Sequence, residues 1–188
     1  MDSLAFKDAA RFEAWLAEHH DDEALTGGVW LRLAKKSSGL PSVRPDEVID
    51  IALCYGWIDG QRKALDATHY LQKVGRRRPR SNWSQVNVRK VEALTAAGRM
   101  REPGFAEVAA AQADGRWAAA YPSQREATVP ADLAAALADD AAARAAFARL
   151  GRSEAYALIL GLHLTRTADG RAARVRRTVE QLRLRPAG

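Results

Sequence analysis

The chain has 188 residues, 47% apolar and 28% charged, proportions that exclude a disordered chain and leave room for one domain or two small lobes. A single cysteine, Cys54, excludes an intrachain disulfide and fits a reducing compartment, and no apolar window is long enough for a transmembrane helix. The net charge of +6 favours an anionic partner, and it is concentrated: residues 62–101 hold 11 Lys and Arg against 2 Asp and Glu, while the remainder holds 18 against 21.

Ala9, Phe12, Trp15 and Leu16 recur at helical spacing behind Asp8, which predicts a helix over 8–20 with Asp8 at its positive end. Its first residues contain no basic segment leading into an apolar one, so no cleaved signal is expected and the cytoplasm is the expected compartment. The run His19-His20-Asp21-Asp22-Glu23 gathers ligand-type side chains. Adjacent histidines diverge by about 100° on a helix, however, so a solvated helix end is expected and no metal.

Gly27-Gly28 opens Val29–Ala34, in which Val29, Leu31 and Leu33 alternate with Trp30, Arg32 and Ala34: a strand with one apolar face. Residues 35–41 read as a loop. Pro45 at the first helical position, Asp46 and Glu47 in the first turn and Gly56 past the end mark a helix over 45–55, its buried stripe being Val48, Ile49, Ala52 and Leu53. Cys54 within that pattern reads as a small core residue.

Gly56-Trp57-Ile58-Asp59-Gly60 reads as a short extended piece bounded by glycines. Asp59 can serve as a general acid or base, as an anchor for an arginine, or simply as turn chemistry. Residues 68–74 alternate again and are expected in the same sheet as the first strand.

The basic stretch follows: Gly75, Arg76, Arg77, Arg78, Pro79, Arg80, Ser81, Asn82, Trp83, Ser84, Gln85, Val86 and Asn87. Ser81 or Asn82 can cap a helix whose apolar stripe is Trp83, Val86, Val91 and Leu94 and which stops at Gly98, placing Ser84 and Asn87 on its first turns. Arginines beside free helix-start N–H groups make a natural anion site, and a tryptophan there can stack on a base or a guanidinium. The alternative is that the arginines pair with carboxylates and the tryptophan is buried.

Pro103 and Gly115 frame a further helix, and Trp117 and Tyr121 stand four apart on what reads as one more turn. The polar, breaker-rich segment 122–128 sets the expected boundary between an α+β lobe, residues 1–122, and a helical lobe, residues 123–188. From Val129 the chain is alanine-rich, with Pro130 at a helix start. Leu133, Leu137, Phe147, Leu150, Tyr156, Ile159, Leu160, Val175, Val179 and Leu182 anchor about four short helices. Arg171, Arg174, Arg176 and Arg177 read as a solvated basic face. The glycine-rich, metalloprotease, paired-cysteine and nucleophile-elbow signatures are missing, so no cofactor is expected.

Taken together, Gly56-Trp57-Ile58-Asp59-Gly60, the spaced Arg77, Arg78, Ser81, Trp83, Ser84 and Asn87, Gly98-Arg99-Met100 and Pro103-Gly104 resemble the bacterial YdeI/OmpD-associated family, also described as bacteriocin-protection proteins. The family name records an association rather than an activity. The resemblance implies an N-terminal α+β lobe with a small mixed or antiparallel sheet, of the YjbR/CyaY-like kind, and a C-terminal helical lobe. The chain departs from the family pattern at Arg76, where a proline is usual, and at Gly161 and Gly170, where a Trp and a Thr are usual. The frataxin-like side of that superfamily would imply iron handling on acidic ridges, which the basic surface here argues against.

The expected function is binding of an anion, either a phosphate-containing small molecule or nucleic acid, by Trp57, Asp59, Arg77, Arg78, Arg80, Ser81, Trp83, Ser84 and Asn87. Two alternatives stand beside it: an enzyme with Asp59 as acid or base, and a purely structural Arg and Trp motif. Oligomeric state is not encoded in any pattern found.

Overall fold

The computed structural model describes residues 3–185, arranged as three strands and eight α-helices in an α+β fold. Helix α1 spans Ala9–His19 and is capped by the Asp8 carboxylate, which accepts from Arg11 N at 2.9 Å. Strand β1 is Val29–Ala34, helix α2 is Pro45–Cys54, β2 is Trp57–Ala64 and β3 is His69–Arg76. Helices α3, Gln85–Ala96, and α4, Glu102–Ala113, follow, and then α5 to α8 at Ala131–Ala138, Ala141–Ala148, Arg152–His163 and Ala168–Arg183.

The sheet is antiparallel in the order β1-β3-β2. The second strand runs on to Ala64, well past the glycine-bounded piece legible in the sequence, because a bulge between Asp59 and Arg62 restores its pairing with β3. Gln72, only 2% exposed, holds the bulge: its amide donates to Gly60 O at 3.0 Å and Lys73 O at 3.2 Å, and its carbonyl accepts from Arg62 Nε at 2.8 Å. A buried amide with these partners is fully used.

The described chain forms two compact units. One consists of the residues up to Ser81 together with Asn87–Ala118, and the other of Asn82–Val86 together with the residues from Ala119 on. In the first, Phe12 and Leu16, Leu31 and Leu33, Val48, Ile51 and Leu53, and Trp57 form the core. The stripe of α2 therefore includes Ile51 and not Ile49, which is half-buried. Helix α4 approaches the end of α2 through Gly104, where an added methyl would lie 2.7 Å from Leu53 O, 2.8 Å from the Cys54 carbonyl carbon and nearer still to the Cys54 oxygen.

In the second unit Leu133, Leu137, Ala143, Ala146, Leu162, Val175 and Leu182 form the core of α5–α8. Arg171 is not merely a solvated cation: it grips Asp132 with two bonds of 2.6 and 3.0 Å. Arg174 lays its guanidinium over Gly161, a position where a larger side chain would displace it. Trp117 lies in a turn and Tyr121 in an isolated bridge to Ser84, so the expected helical turn there is not formed.

Candidate functional site

The end of α1 organises the basic stretch. The carbonyl of His20 accepts from Trp57 Nε1 at 3.0 Å and from Arg76 Nε at 2.8 Å, so one unpaired helix-end carbonyl fastens both the start of β2 and the end of β3. The two histidine rings point back to their own helix, His19 Nδ1 lying 2.8 Å from Trp15 O and His20 Nδ1 3.2 Å from Ala17 O. Glycines bring the strands close. At Gly28, with φ 73°, an added methyl would meet Val74 O at 2.5 Å, and Gly75 opposite has Gly28 Cα 3.0 Å from the same position.

Beyond this junction a cleft of about 370 Å³ opens in the first unit, and Asp59, Lys73, Arg76, Arg78 and Ser81 line it with Gly27 and Gly28. Three cations thus share it with one carboxylate. Asp59 is half-buried, and desolvation holds its carboxyl above the ordinary aspartate value, a shift opposed by its own backbone N–H and by Arg62, Arg77 and Lys90. Arg76 Nη2 and Ser81 Oγ are buried and have no hydrogen-bond partner among the described residues. Groups of this kind cost free energy until an acceptor reaches them.

The turn that carries Arg78 and Ser81 is closed by Ser81 N donating to Arg78 O at 3.0 Å, with Arg80 left-handed at φ 62° in its third position. It is held from outside the motif by Arg116, which belongs to no motif of the sequence. Arg116 is 7% exposed, clasps Asp114 through Nε at 2.7 and 2.8 Å, and donates Nη1 to Ser81 O at 2.9 Å. In sequence, Asp114-Gly115-Arg116 looks like an ordinary solvated turn, and the partner that matters lies 35 residues away.

The expected site residues therefore divide. Asp59, Arg78 and Ser81 meet at the cleft. Arg77 is 6% exposed and lines a neighbouring cleft of about 310 Å³ with His20, Tyr55, Pro103 and Glu107. Arg80 is exposed at the turn, and Asn87 lies in the first turn of α3. Trp57 and Trp83 are buried, at 0% and 1% exposure, so the Trp83 ring is not an open platform for a base, as the alternative of a buried tryptophan expected.

The helix start also differs from expectation. Trp83 and Ser84 precede α3, which begins at Gln85, and Asn82, Trp83 and Ser84 belong to the second unit. There Gln85 N donates to Tyr121 O at 2.8 Å and Tyr121 N to Trp83 O at 3.0 Å, so the chain itself takes up the first amide of the helix. Val86 is 37% exposed and leaves the buried stripe to Val91 and Leu94.

Among the described residues no group of three or more His, Cys, Asp or Glu is arranged to hold a metal ion, and no helix is long and apolar enough to cross a membrane. Residues 4–107 match the family model described as a domain of unknown function (DUF8412), and residues 126–184 match the one described as Bacteriocin-protection, YdeI or OmpD-Associated. No curated protein and no solved structure matches the chain. The second match covers the segment in which Gly161 and Gly170 depart from the family pattern, and the first contains the cleft and most of the motifs that carried the resemblance. The chain thus belongs, through more than half its length, to the DUF8412 family of unknown function, and its helical C-terminal part is a YdeI/OmpD-associated domain.

Proposed function

We propose that the protein binds a small anion, phosphate-containing or similarly oxygen-rich, in the Asp59–Arg78 cleft. Lys73, Arg76, Arg78 and Ser81 supply the donors, and Asp59 orients the guanidinium groups. The observation that carries this reading is the gathering of three cations and one carboxylate around one cleft, two of whose lining residues, Arg76 and Ser81, also bury a polar atom, Nη2 and Oγ, that has no hydrogen-bond partner among the described residues. Tetrahedral oxyanions offer several acceptors at once, which suits a guanidinium fork beside a hydroxyl. The protein acts in the cytoplasm on this reading, where Cys54 stays reduced.

Calorimetric titration with pyrophosphate and with sulfate at low ionic strength tests it. Binding should weaken about tenfold in Arg78→Ala, the loss expected of one charge-assisted hydrogen bond. Absence of heat for both anions at millimolar concentration would refute the proposal.

A second reading, an enzyme acting on the bound anion, is favoured by one observation: the desolvated Asp59 carboxyl belongs to a residue lining the same cleft as Ser81 and Arg78. Such a carboxyl holds its proton to higher pH than usual and suits general acid chemistry. Turnover of an anionic substrate that disappears in Asp59→Asn while binding is retained would favour the enzyme over the binding protein.

A further inference from the structure

The face of the sheet turned away from Leu31 and Leu33 carries a further group of residues. In the β1–β3 register Trp30 stands opposite Lys73 and Arg32 opposite Leu71, and in the β2–β3 register Lys63 also stands opposite Leu71. Directly opposed residues of antiparallel strands share a face. Trp30, Arg32, Lys63, Leu71 and Lys73 therefore lie together, on the side away from the buried Leu31 and Leu33.

Its polar members and the indole reach solvent, Arg32 and Lys63 being exposed and Trp30 and Lys73 half-buried, while Leu71 is buried beneath them. Lys63 Nζ lies 4.6 Å from the centre of the Trp30 ring and Lys73 Nζ 5.9 Å, so two ammonium groups gather at one indole. No Asp or Glu occupies a strand position on this face. The nearest acid along the chain is Asp66 in the β2–β3 hairpin. Its carboxylate accepts from Thr68 N and His69 N at 2.7 Å each, which holds it down at about 2.

We infer that this face is a platform for single-stranded nucleic acid, on which a base stacks on Trp30 and Lys63, Lys73 and Arg32 take the flanking phosphates. The chemistry is that of an aromatic ring set among cations on an open antiparallel sheet. Such a surface reads unpaired bases through their π-faces and the backbone through charge. An arriving base displaces the Lys63 ammonium from the indole and leaves it beside a phosphate, where its charge is better compensated. Duplexes keep their bases stacked and can use only the cations. The face is distinct from the anion cleft, with Lys73 alone lining both.

The test is fluorescence anisotropy of labelled dT and rU 12-mers with the full chain at low salt, alongside a duplex of matched length. Single strands are expected to bind, and Trp30→Ala should weaken them about tenfold, within the range of one base stacked on an aromatic ring. Trp30→Phe should restore most of the loss. Lys63→Glu, at an exposed strand position that does not risk the fold, should weaken binding and flatten its salt dependence, whereas Arg125→Ala on the other unit should not. Duplex binding should be weaker and insensitive to Trp30→Ala. No binding of either single strand, equal affinity for Trp30→Ala and wild type, or a loss confined to Arg78→Ala would overturn the inference.

Discussion

Replacing Gly104 by alanine sets two opposed effects against each other. Alanine inside a helix is favoured over glycine by about 1 kcal/mol. Here the added methyl would stand 2.7 Å from Leu53 O and 2.8 Å from the Cys54 carbonyl carbon, against ordinary contacts near 3.4 Å, and the obstacle is backbone. To make room α4 must retreat by about 0.7 Å or more, at an overpacking cost of about 1–3 kcal/mol. The bond from Arg101 N to Cys54 O, at 3.2 Å, lies in the path of that movement and adds about 1 kcal/mol.

The net expectation is destabilisation by about 2 kcal/mol, or about 8 °C in melting temperature for a unit of this size. Gly161→Ala is the control. The three atoms nearest its methyl all belong to the guanidinium of Arg174, the end of a flexible and exposed side chain that can swing away, so about 1 kcal/mol of helix preference should survive as stabilisation. Urea titrations followed by circular dichroism measure both. If Gly104→Ala were as stable as wild type, the close approach of α4 to the end of α2 would be refuted.

Three further outcomes are expected. Arg116→Ala should cost about 2 kcal/mol by urea titration, chiefly from the lost donor to Ser81 O because Asp114 is 45% exposed, and should weaken sulfate binding at the cleft. Asp59→Asn should be more stable than wild type near neutrality and equal to it at low pH. The folded carboxyl titrates above its unfolded value, so wild-type stability falls as pH rises from about 4 through the folded value, and thermal melts across pH register the difference. Asp132→Asn has the opposite sign. Its hydrogen bonds with Arg171 hold the carboxyl below its usual value, so the contribution is present above about pH 4 and is lost as pH falls through the folded value. At 40% exposure the pair should be worth about 1 kcal/mol at pH 7, read as the urea difference between variant and wild type.

What the sequence revealed depended on how local the determining physics is. Asp8 at a helix start, Pro45 with Glu47 behind it and the alternation from Val29 to Ala34 each encode their element within a few residues, and each element forms there. The reach of β2 to Ala64 was hidden because Gln61, Arg62 and Lys63 show no alternation, and a buried partner on another strand, Gln72, sets their pairing. Trp83 kept helical spacing with Val86 yet lies outside the helix, because its backbone pairs with Tyr121, 38 positions away. At the site, charge density pointed to Arg78 and Ser81 and glycine spacing to Asp59. Arg116 and the receiving carbonyl of His20 could not be found, since a backbone acceptor leaves no trace in residue type.

The bulge at Asp59–Arg62 also protects the protein from its own kind. Strand β2 is one of the two outer strands of the sheet, and a straight edge with free amide and carbonyl groups invites a second chain to add itself there. The extra residue breaks the regular spacing of those groups, and Arg62 and Lys63 place like charges where an identical strand would have to dock. Gln72 pins that irregularity from inside the sheet, so the edge stays an uneven template for an added strand.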